Sequence, residues 1–106
     1  MQQVTETVSG TTTGTTPIPL DYLIAPFQVS VGVGSVVGTV SYTLQYTYDD
    51  VFAPGYNPAT GNWFNSATMV TKAAAFDTAL VAPVRAIRFT NVGSGSFVAE
   101  IIQAGR

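Results

Sequence analysis

Residues 40–48, VSYTLQYTY, restrict what this chain can fold into more than any other stretch. Val40, Tyr42, Leu44, Tyr46 and Tyr48 alternate strictly with Ser41, Thr43, Gln45 and Thr47. A period of two sends successive side chains to opposite faces of an extended backbone, whereas a helix needs its apolar residues three to four positions apart. Aromatic and β-branched side chains also fit a pleated, half-buried surface. The stretch therefore predicts a strand with one face in a core. Such a strand demands a sheet and a second layer to cover it.

The same period recurs. Phe27, Val29, Val31 and Val33 share one side of an extended segment, with Gln28, Ser30 and Gly32 on the other. Gly34-Ser35 and Gly38 then predict a turn or a bulge. Pro83 opens a strand over residues 84–90, at the one strand position where proline is readily tolerated. Residues 91–96 read as a Gly/Ser turn, with 97–103 pairing back as a hairpin. Residues 68–79 read as loop with some strand; three consecutive alanines leave a short helix around 72–76 as the alternative. Residues 49–62 form the longest irregular stretch, marked by Pro54-Gly55, Asn57-Pro58 and Gly61-Asn62. Pro17, Pro19 and Pro26 punctuate a linker around the apolar run 20–25. The expectation is an all-β chain, an antiparallel β-sandwich that is jelly-roll-like, in one domain over residues 17–106. Ahead of it, Thr- and Gly-rich residues 1–16 predict an extended N-terminal arm. That arm is either a free tail or a strand that forms only on another subunit's sheet edge, with Val4 and Val8 as its apolar contacts.

Only 9% of the residues are charged while 46% are hydrophobic, against about 25% charged in ordinary soluble domains. Low charge leaves little repulsion to keep molecules apart, so partners are expected to occupy part of the surface. The four basic residues, Lys72, Arg85, Arg88 and Arg106, do not make the cluster that phosphate neutralisation needs, which argues against nucleic acid as a partner. Prolines, glycines and Asp21 interrupt the apolar stretch 18–40, so no membrane-spanning helix is expected there. Residues 1–16 lack the basic and apolar regions of a secretory signal.

Cysteine and histidine are absent, which removes thiolate metal sites and the Ser-His-Asp and Cys-His catalytic arrangements. Asp49-Asp50, at a strand end, fits turn capping better than a glycosidase pair, which needs two carboxylates at a set separation. With Asn57 and Asn62 these residues supply oxygens, but at spacings that match no calcium motif. Gly93-Ser94-Gly95-Ser96 lacks the lysine and the following helix of a phosphate loop. No catalytic residue, cofactor or metal is expected. Tyr42, Tyr46 and Tyr48 read as core and periphery. Trp63-Phe64 reads as a pin for the long loop, an anchor in a subunit interface, or part of a sugar platform with Tyr56. Arg85 and Arg88 stand three apart, so they are expected on opposite faces of their strand. The candidate partner-interface residues are Val4, Val8, Phe52, Tyr56, Trp63, Phe64, Arg85 and Arg88.

One resemblance adds to this. The run SYTLQYTYDDVF at residues 41–52, then Trp63-Phe64, then PVRAIRF at 83–89, and finally IIQAG at 101–105 resemble, in that order, a group of small tailed-phage virion structural proteins. The resemblance covers roughly residues 40–105. It implies a capsid decoration or cement subunit: a non-enzymatic protein on the virion capsid surface, made in the host cytoplasm. It implies the major capsid protein as partner, together with self-association as a homodimer or homotrimer. A neck, tail or head-fibre component is the alternative within the same particle, and a carbohydrate-binding β-sandwich module is the alternative outside it.

Overall fold

The computed structural model describes residues 4–15, 17–20, 28–57, 60–80 and 84–104. Within them, eight strands run in chain order: β1 (Val4–Ser9), β2 (Ile18–Pro19), β3 (Gln28–Val37), β4 (Tyr42–Thr47), β5 (Phe64–Asn65), β6 (Phe76–Leu80), β7 (Ala86–Asn91) and β8 (Ser96–Ala104). They form two four-stranded antiparallel sheets packed as a sandwich, ordered β1-β8-β3-β6 and β2-β7-β4-β5. The link from β4 to β5 stays within the second sheet, and every other link crosses between the two.

The alternation read from the sequence sets the inner faces. Val29, Val31 and Val33 of β3 and Phe97, Ala99 and Ile101 of β8 are buried from the first sheet. Tyr42 and Leu44 of β4 and Ile87 and Phe89 of β7 meet them from the second. At the centre the Tyr42 and Phe97 rings lie 4.7 Å apart, with Phe89 edge-on to Phe97 at 6.0 Å. Aromatic pairs at such distances add about 0.5–1.5 kcal/mol beyond the area they bury. Val40 is buried beside them, Tyr46 packs against the core and Tyr48 reaches solvent. The register of β3 on β8 slips between Gly34 and Val37, where the glycine and serine predict a bulge. In the stretch 68–79, loop gives way to β6, and Met69 from that loop closes the side of the core.

Two expectations are corrected. Residues 91–96 do not close a hairpin: β7 and β8 belong to different sheets, and the turn carries the chain from one to the other. The corner packs against the equivalent crossing from β3 to β4. Gly95 N–H donates to Thr39 O at 2.8 Å, and a Cβ on Gly95 would lie 2.8 Å from Thr39 N, so only glycine allows the two corners this close. Gly/Ser composition marks a reversal without saying which sheet the next strand joins.

Nor do residues 4–15 wait for another subunit's sheet. β1 pairs over its whole length with β8 of the same chain, Val4 opposite Ile101 and Ser9 opposite Ser96. The chain then crosses to the second sheet and runs along β7. Thr12 and Asn91 exchange backbone hydrogen bonds of 2.8 and 2.9 Å, Thr15 N–H donates to Phe89 O, and the Thr15 hydroxyl accepts the Phe89 N–H at 3.0 Å. Residues 1–3 and 16, the 21–25 part of the apolar run, Phe27, Pro58 and Pro83 lie outside the described residues. No helix among the described residues is long and apolar enough to cross a membrane.

Candidate functional site

The outer face of the second sheet carries three of the sequence-predicted residues, Tyr56, Trp63 and Arg88, because the long loop folds back over it. Thr47, on the solvent-side row of β4, is nevertheless fully buried. Its hydroxyl donates to Asn62 O at 2.7 Å and accepts the Asp49 N–H at 3.0 Å. Asp49 then accepts the Asn62 N–H at 2.8 Å, which closes the neck of the loop. Asp50 accepts the N–H of Phe52, two residues on, at 3.0 Å. Asp50 therefore caps a turn, as its place at a strand end implies, whereas Asp49 ties together the two ends of the loop.

Three of the predicted residues meet at this neck. The Arg88 guanidinium lies over the Trp63 ring at 4.3 Å, and its Nε donates to Gln45 Oε1 at 2.8 Å. Gln45 is the cross-strand partner of Arg88 and donates in turn to Asn65 Oδ1 at 2.9 Å. The Trp63 indole N–H is turned toward the buried Tyr56 hydroxyl, which makes no well-formed hydrogen bond. Burial first, and the charge of Asp49 second, push the Tyr56 hydroxyl above its ordinary pKa, against the opposing pull of Trp63 and Arg88. Desolvation lowers Arg88, partly offset by Tyr56; a guanidinium nonetheless stays protonated.

The remaining predicted residues separate. Phe52 is 78% exposed near the tip of the loop. Arg85 precedes β7 and pairs with Asp50 at 3.6 Å, a part-exposed ion pair of the kind that contributes about 0–1 kcal/mol. Phe64 on the edge strand β5 stacks on Tyr46 at 5.8 Å and meets Tyr48 at 5.7 Å, forming an open aromatic cluster on the flank of the sandwich. Val4 is half-buried against the core. Val8, expected at a partner interface, is instead a core residue opposite Phe97, because its strand belongs to the chain's own sheet. Glu100 lies on the first sheet, while Arg88 lies on the second.

Sequence reasoning missed the two exposed corner valines, Val37 and Val92, 66% and 68% accessible at the end where the chain crosses between sheets. Each sits next to a glycine in the sequence, which is the only hint of a corner. Among the described residues no group of three or more Asp or Glu converges as a metal site would require. The arrangement around Trp63 is a packed loop anchor. One face of its ring already carries Arg88, so a sugar would have to displace that contact or use the other face. No protein-family model, curated protein or solved structure matches the chain.

Arg88→Ala is expected to loosen the loop neck without unfolding the sandwich. It removes a cation–π contact of about 0.5–1 kcal/mol and a charged hydrogen bond of about 1.5–3 kcal/mol before solvent compensates. Trp63 is the one tryptophan, so its fluorescence reads the change directly. The expected result is altered emission with a stability loss of about 1–2 kcal/mol. Unaltered emission would show that Arg88 does not hold Trp63.

Proposed function

We propose that this chain is, first, a structural protein of the jelly-roll class, and second, a virion component that binds the outer surface of a phage capsid and bridges or stabilises its capsomers. The observation that carries the reading is the strand order. Eight strands ordered β1-β8-β3-β6 and β2-β7-β4-β5, with all links but one crossing between sheets, are what two successive Greek keys produce, and this architecture serves viral capsid and lectin domains.

Three further features support a role in assembly. Charge is scarce. Phe52, Tyr48, Phe64, Val37, Val92 and Ile102 are apolar or aromatic side chains left exposed on the surface, Tyr48 and Phe64 in one cluster. Tyr56, Trp63 and Arg88 are held in packing contacts with one another at the neck of the long loop. A stable interface buries about 1,200–2,000 Å² in total, and the chain exposes 5794 Å² in all. A bridging subunit would thus commit a sizeable share of its surface to partners: the major capsid protein and further copies of itself in a dimer or trimer.

The test is the copy number of the chain in purified particles, measured by mass spectrometry against the major capsid protein. A ratio of the same order as the capsid protein is expected. A far smaller ratio would move the chain to the neck, tail or a head fibre, and its absence from particles would discard the virion reading.

A further inference from the structure

The outer face of the first sheet contains a groove that the chain's own packing does not call for. Its floor is β3, where Ser30, Gly32 and Gly34 point away from the core between the buried Val29, Val31 and Val33. Gly32 pairs with Asp77 of β6 on one side and Glu100 of β8 on the other. The two acids therefore stand on strands about 10 Å apart with no side chain between them. Ile102, 48% exposed, continues the Glu100 wall.

Glycine inside a strand is unfavourable by about 0.5–1 kcal/mol against alanine, through backbone entropy, and often marks a place where a ligand or another chain approaches closely. Neither usual internal reason for glycine applies here. Gly32 and Gly34 do not have positive φ, and a Cβ added to either would meet nothing within 4 Å. The groove is also acidic. Among the described residues Asp77 and Glu100 line it and no Lys or Arg does, while Lys72 is held over the Phe76 ring.

We propose that this groove receives a Lys- or Arg-bearing segment of a protein partner. Resting on the reading of the chain as a capsid-binding subunit, this names the chemistry of the surface it grips. The basic side chain lies over Gly32 with its aliphatic stem against Ile102 and its charged head between Asp77 and Glu100. Long cationic side chains bury their stems on apolar surface in this way and keep the head among acceptors. Glycine on the floor supplies the depth, and the carboxylates supply the selection for positive charge.

The groove is tested with two probes. The first is an immobilised array of extended heptapeptides with a central Arg or Lys, each matched by a counterpart carrying citrulline or norleucine. The second is capsid shells stripped of this chain. On the array the wild-type protein is expected to prefer the cationic peptides at least tenfold. Gly32→Val and the double variant Asp77→Asn/Glu100→Gln are expected to lose that preference, with Gly32→Val melting no lower than wild type. Equal binding to cationic and neutral peptides would overturn the proposal, and so would a Gly32→Val protein that keeps the preference. On shells, wild-type binding that both variants lose by at least tenfold supports the groove as the contact, while variants that bind like wild type overturn it. Wild-type protein that prefers cationic peptides yet does not bind shells would defeat the capsid reading and leave the groove standing.

Discussion

Deleting residues 1–15 is expected to unfold most of the protein rather than release a dispensable tail. The deletion removes β1, all six of its pairings with β8, and the buried Val8 that packs opposite Phe97. It also strips partners from β7. Asn91, fully buried, donates its side-chain amide to Gly10 O at 2.8 Å and accepts the Ser41 N–H at 3.1 Å. Losing Gly10 leaves a buried amide donor unsatisfied, at about 1–3 kcal/mol. Losing Val8 removes about 1.5–3 kcal/mol of burial. The backbone bonds that Thr12 and Thr15 make to Asn91 and Phe89 go as well.

Together these losses are comparable with the total stability of a domain this size, about 5–15 kcal/mol. The newly bared edge of β8 would in addition favour aggregation. Circular dichroism and proton NMR dispersion check the outcome. A truncated chain with an unchanged unfolding midpoint would show that the first strand contributes nothing to the fold.

Phe97→Ala is the second large effect. The ring is inaccessible, packed at a tilt against Tyr42 and edge-on to Phe89. Replacing a buried phenylalanine with alanine removes transfer free energy and leaves a cavity the surroundings fill only in part, about 3–5 kcal/mol together. Urea unfolding is expected to show a midpoint lowered by a large fraction of its value, or no cooperative transition at all. Tyr42→Phe is the matching control: it keeps the ring and removes only the hydroxyl's 2.6 Å bond to Ala74 O, about 1 kcal/mol. If both variants lost the same stability, the central ring cluster would not be what holds the two sheets together.

The alternation at residues 40–48 announces β4 because a period of two is a local property of the backbone, and Val29, Val31 and Val33 announce the buried row of β3 for the same reason. The Asp50 cap was legible too, since an Asx turn closes within two residues. The candidate site was legible only in pieces. Tyr56, Trp63 and Arg88 could be named, but their meeting depends on a loop that closes through Thr47 and Asn62, 15 positions apart. The groove at Gly32 went unread because Asp77 and Glu100 become its walls only through pairings 45 and 68 residues distant in sequence.

By itself, then, the sequence determined what each segment would be: extended, alternating, turned at glycine and proline, and poor in charge and in catalytic side chains. Tertiary structure decided which strand each segment would meet. It sent residues 91–96 around a corner between sheets instead of into a hairpin, and it tied residues 4–15 into the chain's own sandwich. The reason is physical. Secondary structure follows from side-chain period and local sterics, whereas pairing follows from which apolar faces can be buried together at once. Val8 meets Phe97, 89 positions away, only through the pairing of β1 with β8.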